Sequence, residues 1–142
     1  MNAAISPAPP VASSRFVDNN DGTVTDNKLG LMWSKATLTA KCVTHKKAEK
    51  VCAELDLAGH TDWRLPTVEE LFCLADRSRK TPAIDTDAFP DTKSDCYWTS
   101  TISAWSSAFA WLVSFSYGDS SSSHRDDLSA FVRAVRSVPA SQ

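Results

Sequence analysis

Trp63-Arg64-Leu65-Pro66-Thr67-Val68-Glu69-Glu70-Leu71 reads as the junction between an extended segment and a helix. Pro66 ends the extended piece, because the residue before a proline is pushed out of the helical region. Thr67 and Glu70 have the spacing of a capping box, in which each side chain satisfies a backbone N–H at the helix start. The helix should run to about Asp76, with Val68, Leu71, Phe72 and Ala75 turned inward. Arg64 sits between two apolar side chains, which predicts a semi-buried ion pair with a carboxylate and a structural role.

Upstream of this junction, Thr39 to Leu57 has helical spacing, with Val43, Lys47/Ala48, Val51/Cys52 and Leu55 on one side and Gly59 as a stop. Lys41, His45, Lys46, Lys47 and Lys50 then form a basic outer surface, the usual sign of a solvated face. Further back, Phe16 to Asp26 alternates around Asn20-Asp21-Gly22, a hairpin signal. Asp18, Asp21 and Asp26 raise a calcium loop as an alternative. Gly22 falls at position five from Asp18 rather than six, so the turn reading is preferred. Leu29 to Trp33 follows as another short strand.

Downstream, residues 81–96 are turn-rich and polar, and Tyr97-Trp98-Thr99-Ser100-Thr101 begins a strand. Trp111, Val113 and Phe115 alternate with Leu112, Ser114 and Ser116, which predicts one large apolar face and one mostly small and polar face. Asp119 to Asp127 reads as a polar loop. Phe131 to Arg136 reads as a last strand with Val132 and Ala134 on one face. The order hairpin, two helices, antiparallel β-run is that of an α+β domain, with two helices packed on a small twisted antiparallel sheet with long loops. The domain is expected to span 15–138. It is preceded by a flexible Pro/Ala/Ser-rich linker at 1–14, which has no signal-peptide pattern, and followed by a short tail at 139–142.

Composition narrows the function. The 142 residues are 42% hydrophobic with five Trp, two Tyr and six Phe, enough for a core and incompatible with global disorder. A net charge of −2 argues against nucleic-acid binding by bulk electrostatics, and no apolar run is long enough to insert in a membrane. Catalytic motifs are missing. There is no GxSxG elbow, no HExxH pair and no glycine-rich phosphate loop, and the carboxylate pairs Glu69/Glu70 and Asp126/Asp127 are adjacent rather than convergent. We therefore expect no enzyme, no cofactor and no metal. Cys42, Cys52, Cys73 and Cys96 are disulfide candidates or free buried thiols, and both readings stay open.

The combination Asp21-Gly22-Thr23-Val24-Thr25-Asp26, Gly30-Leu31-Met32-Trp33, Gly59-x-x-Asp62-Trp63-Arg64-Leu65-Pro66-Thr67-x-x-Glu70-Leu71, Tyr97-Trp98-x-Ser100-Thr101, Trp111-x-Val113-x-Phe115 and Val132-Arg133-x-Val135-Arg136 resembles the C-terminal domain family of the Lcl collagen-like proteins. The resemblance covers nearly everything from Phe16 to Arg136. It implies a C-type-lectin-like fold, distantly related to formylglycine-generating enzymes, and an extracytoplasmic binding role at a cell surface, in secretion or on a phage. The family often has Cys between the two final Val-Arg pairs, where this chain has Ala134. Neither the calcium-dependent sugar-binding motifs of lectins nor the reactive cysteine pair of formylglycine-generating enzymes has a match.

One compositional break goes further. Residues 102–136 contain no Lys, Glu, Gln or Met, whereas residues 1–101 contain 14 of them, a frequency that would put about five in a stretch of 35. The residues present resemble the output of diversity-generating retroelements, which randomise adenines in Asn-type codons and cannot reach those four types or Trp. On that resemblance Trp98, Trp105, Trp111, Gly118, Val132 and Arg133 are fixed scaffold. The expected ligand surface comprises Ser103, Ser106, Ser107, Phe109, Ser114 and Ser116, followed by Tyr117, Asp119, Ser121, Ser123, His124 and Asp126. Phe109, Tyr117 and His124 would be anchors and the serines adaptable contacts. Residues 102–131 carry one Arg and three Asp, which favours a protein or neutral ligand over a sulfated sugar. The alternatives are an invariant adhesin binding glycosaminoglycans through the basic helix at 41–50, and a residual formylglycine-generating-like enzyme.

Overall fold

The computed structural model describes residues 15–79 and 81–138; the linker expected at 1–14 and the tail expected at 139–142 lie outside the described residues. The elements are β1 (Phe16–Asp18), β2 (Thr23–Asp26), β3 (Leu31–Ser34), α1 (His45–Ala53), α2 (Val68–Phe72), β4 (Cys96–Ile102), β5 (Phe109–Ser114), β6 (Asp119–His124) and β7 (Val135–Ser137). The α+β class is as expected, but there are two antiparallel sheets rather than one, ordered β1-β2-β3-β7 and β4-β5-β6. β7 pairs with β3, Trp33 opposite Val135, so the end of the chain closes the sheet that its beginning started.

The first hairpin turns where the sequence placed it. Asn20 and Gly22 both have positive φ, which glycine adopts at no steric cost. The three aspartates serve the backbone separately. Asp18 accepts from Asn20 N–H, Asp21 from Thr23 N–H, and buried Asp26 from the Arg15 guanidinium (2.8 Å twice) and the Trp33 indole (3.2 Å). Burial works to raise the Asp26 carboxyl, but Arg15 and Trp33 outweigh it and hold it below the usual carboxylate range.

Both helices are shorter than their apolar periodicity implied. α1 starts at His45, capped by Thr44, because Val43 is already committed to a bridge with Ala130. Its buried side is His45, Ala48 and Cys52, so His45 does not belong to the basic outer surface. α2 begins with the expected capping box, Thr67 with Glu70, and tightens after Phe72 through Leu74 N–H to Leu71 and Ala75 N–H to Phe72. Arg64 and Glu70 form the expected pair, with two hydrogen bonds of 2.8 and 2.9 Å.

Two apolar clusters fill the interior, and β5 lies between them. Val113 joins Trp33, Leu71, Phe89, Tyr97, Phe115 and Val135 in one. Ala110 and Leu112 join Trp63, Leu65, Trp98, Ala130 and Val132 in the other, over α1. The second face of β5 is thus a second core, not a small polar surface. The final segment differs for the same reason. Only Val135–Ser137 pairs as a strand, while Ala130 to Ala134 threads between the two cores, with Ala130, Val132 and Ala134 on one side and Arg133 and Val135 on the other. Its carbonyls are taken by different partners in turn, Val43, Leu38 and Ser34 N–H.

Asp119 to Asp127 is a further correction. Residues 119–124 form an edge strand in register with β5 from Phe109↔His124 to Ser114↔Asp119. Serine has no strong strand preference, but pairing along a packed neighbour satisfies the backbone, and an edge strand has no second sheet contact to fill. All four cysteines are free thiols, so the disulfide reading is not what the structure shows. Cys52 faces the second core, whereas Cys73 is exposed at the end of α2.

Candidate functional site

Directly paired residues of an antiparallel ladder share a face. Phe109, Trp111 and Val113 therefore lie on the same face as His124, Ser122 and Ser120. Val113 is buried beneath neighbouring elements, but at Trp111 beside it this face opens. There, Val68 and Phe72 of α2, with Glu69 at the rim, face Trp111, Thr101 and Ser120 across a groove of about 350 Å³. Thr101 Oγ accepts from Val68 N–H at 2.9 Å and fixes the helix start against the sheet.

The expected ligand residues all reach solvent to some degree, but they do not form one patch. Ser106, Ser107 and Phe109 are exposed in and after the β4–β5 turn, and Ser103 is half-buried beside them. The Phe109 and His124 rings meet edge to face at 5.4 Å, which brings the turn against the end of β6 and exposed Asp126. Tyr117 and Ser116 sit in the β5–β6 turn, with Ser114 and Asp119 beside them, at the opposite end of the strands. Five residue steps of about 3.4 Å put that end roughly 17 Å away. Tyr117 and His124 therefore do not line one small pocket, and only a ligand as broad as a protein face would meet both. Ser121 and Ser123 face the side that carries Leu112 and Ala110, and the Ser123 hydroxyl is shared with Ser129 at 2.7 Å.

Tryptophan divides the molecule most clearly. The Trp33, Trp63 and Trp98 indoles donate to Asp26, the His60 carbonyl and the Val43 carbonyl. Buried indoles ordinarily find such partners. Trp105 is 94% exposed at the β4–β5 turn. Trp111 is half-buried in the groove wall and belongs to neither apolar cluster. Trp111 is one of the functional candidates that sequence reasoning missed, because period-two alternation assigned it to the core with Val113 and Phe115. Helical spacing likewise turns Val68 and Phe72 inward, and nothing in the run 119–127 singles out Ser120 and Ser122. The pairing register that would have revealed them is a tertiary fact. Leu128, 72% exposed, is a further apolar side chain on the loop after β6.

The loop after β6 carries exposed Asp126 and Asp127, with Lys46 in the same cavity as Asp126 and Arg125 between the strand and these aspartates, half-buried and bonded inward to His45 Nδ1 at 3.1 Å. Exposed Asp119 lies at the other end of β6, next to Gly118, whose carbonyl accepts from Arg77 Nε at 3.1 Å. On α1, Lys46, Lys47 and Lys50 are exposed and alternate with exposed Glu49 and Glu54. Among the described residues, no group of three or more His, Cys, Asp or Glu side chains is arranged to hold a metal ion. No helix of the described residues is long and apolar enough to cross a membrane.

The family model for the Lcl C-terminal domain matches residues 22–136, from the first hairpin to β7. The chain belongs to the Lcl C-terminal domain family. Within this Lcl domain, the match takes in the capping-box junction, both helices, the groove and the final buried arginine. No curated protein matches the chain.

Proposed function

We propose that this Lcl domain is a non-enzymatic ligand-binding domain of C-type-lectin-like fold, displayed outside the cytoplasm, whose binding surface is built by residues 102–128. The observation that carries the reading is the split among the tryptophans. Three are anchored by internal acceptors, while Trp105 and Trp111 present aromatic surface without one among the described residues. Exposed or half-exposed aromatic side chains beside small hydroxyls are the composition of adaptable binding surfaces. The groove at Trp111, with Thr101 and Ser120 hydroxyls and the Glu69 carboxylate, suits a neutral ligand or a protein side chain better than a polyanion.

The Lys-free, Glu-free composition of 102–136 supports a second element of the proposal, that the segment is diversified by a retroelement. A reverse-transcriptase gene beside a near-copy of the DNA encoding 102–136 would be decisive, and its absence would reject diversification while leaving binding standing. Binding is tested by comparing retention of the wild-type domain on intact candidate cells with that of Trp105→Ser and Trp111→Ser. Both variants should fold and be retained less; equal retention rejects the surface. The exposed lysines of α1 support the rival reading, glycosaminoglycan adhesion, and salt-sensitive retention on heparin that disappears in a Lys46→Ser/Lys47→Ser/Lys50→Ser variant would favour it.

A further inference from the structure

His45 lies outside the proposed surface, yet it is wired into it. The ring is fully buried and packs edge to face on Trp98 at 5.0 Å. Both nitrogens are committed. Nε2 is 2.8 Å from the Thr99 carbonyl, which can only accept, so this nitrogen carries the proton. Nδ1 accepts from Arg125 Nε at 3.1 Å and is therefore unprotonated. The backbone repeats the connection, His45 N–H donating to the Arg125 carbonyl at 2.9 Å. Arg125 in turn ties the two loops at this end of the sheet. Its N–H donates to Ala108 at 2.8 Å and its Nη1 to the Ser107 carbonyl at 3.4 Å.

We propose that His45 is an acid-sensitive latch: protonation of Nδ1 expels the Arg125 guanidinium and loosens the loops at 106–108 and 124–128, so that this end of the surface is ordered at neutral pH and released in acid. One proton is taken from water onto the Nδ1 lone pair, and the Nε2 bond to Thr99 is retained. The former acceptor becomes a donor facing another donor 3.1 Å away, and a buried imidazolium faces a half-buried guanidinium of like charge. Glu49 lies 3.8 Å from His45 Nδ1 and 3.7 Å from Arg125 Nη2. It is the carboxylate that pairs with whichever cation stays, and it keeps the imidazolium while Arg125 turns to solvent. From β4, the groups facing His45 are the Trp98 ring and the Thr99 carbonyl, neither of which titrates. Lys46, His124 and Asp126 line the cavity of about 400 Å³ beyond Arg125 that its side chain could enter. Burial is the main cause lowering the His45 pKa, with Arg125 adding to it and Thr99 and Glu49 opposing, so the transition lies below the ordinary histidine range.

The consequence for ligand release rests on the binding reading above; the latch itself does not. It is tested by amide hydrogen exchange of the whole chain without ligand, at about pH 7 and about pH 5, corrected for intrinsic rates. Protection of the amides at 108, 125 and 127 should fall about tenfold in acid while that of β5 stays constant. Arg125→Met should exchange at pH 7 as the wild type does in acid and show no further pH effect. His124→Gln removes the acceptor that its Nδ1 offers Asp126 N–H at 3.2 Å and should lower protection at 126, but the fall at 108 and 125 in acid should persist, because the latch is His45. Unchanged loop protection in acid, a uniform loss across β5, a pH effect that survives in Arg125→Met, or one abolished by His124→Gln overturns the latch. A latch that passes beside a domain that fails to bind would count only against the surface.

Discussion

Arg133 should decide how sharply frame and surface are separated. It is fully buried inside the segment whose other end is free to face solvent. Its guanidinium donates to the Ser34 and Lys35 carbonyls at 2.7 Å each and to Thr92 Oγ at 2.9 Å, and it stacks over the Phe89 ring at 4.7 Å. These partners are two carbonyls and a hydroxyl, not a carboxylate. Burial is the main cause lowering its pKa, and Tyr97 opposes it. Arg133→Met keeps the stem and removes the fork. Each buried carbonyl left without a donor costs about 1–3 kcal/mol, so two give about 4 kcal/mol. Removing a desolvated cation returns part of that, leaving about 3 kcal/mol. For a domain of this size such a loss lowers Tm by about 10 °C. Arg133→Lys should fall at least as far, since it keeps the buried charge but cannot span three acceptors as a planar fork. Thermal unfolding followed by circular dichroism measures both. A Met variant within about 2 °C of wild type, or above it, would refute the claim that this arginine holds β3 to the loop at Thr92.

Tyr117→Ala should change Tm by less than about 2 °C, since the ring is 70% exposed and belongs to neither apolar cluster; a larger loss in a thermal melt would make it part of the frame. Burial works to raise the Glu70 carboxyl, but the Arg64 guanidinium and the Thr67 N–H outweigh it and hold it below its usual 4.5. The folded state therefore binds this proton more weakly than the unfolded chain does. The stabilisation is complete above about 4.5 and is lost as pH falls through the lowered value. Urea melts should show Glu70→Gln about 1 kcal/mol less stable at neutral pH, with the gap closing in acid. Burial pushes the Cys52 thiol up to about 12, whereas Cys73 is exposed. Iodoacetamide at mildly alkaline pH should alkylate Cys73 first and Cys52 only after unfolding, as read by peptide mass.

The junction at Trp63–Leu71 was legible because every device in it is local. A capping box, a pre-proline residue and an ion pair six residues apart need no knowledge of the rest of the chain. The Asn20-Asp21-Gly22 turn was legible for the same reason. What escaped was decided by long-range pairing. DSSSSH at 119–124 has no intrinsic reason to be a strand and becomes one because β5 offers it a ladder. Trp111 satisfied the alternation of a core strand, but its outer side is left open across a groove from Val68 and Phe72 of α2, which only the tertiary packing decides. His45 read as one more basic residue on a lysine-rich helix. Its burial follows from Trp98 and the Thr99 carbonyl, 53 and 54 positions away, which no window of sequence contains.

The two-core arrangement also restricts how far residues 102–136 could vary, whatever the source of variation. A surface strand over a single core frees every second residue. β5 does not offer that freedom, since Ala110, Leu112 and Val113 are all buried and only Phe109, Trp111 and Ser114 reach outward. Gly118 is fixed for a different reason. It has a φ of 81°, and a Cβ there would come within 3.2 Å of the Arg77 side chain. From Ala130 to Val135 only Phe131 escapes full burial, so a change at most of these positions opens a cavity or orphans a carbonyl. Freedom is left in four places: the β4–β5 turn, Tyr117 in the β5–β6 turn, β6 with the loop after it, and the Trp111 side of β5. The β4–β5 turn and the loop after β6 are joined by Arg125, and Trp111 pairs directly with Ser122 of β6. Positions permitted to change and positions able to meet a ligand thus largely coincide, for a reason that is purely one of packing: what no core claims is what remains at the surface.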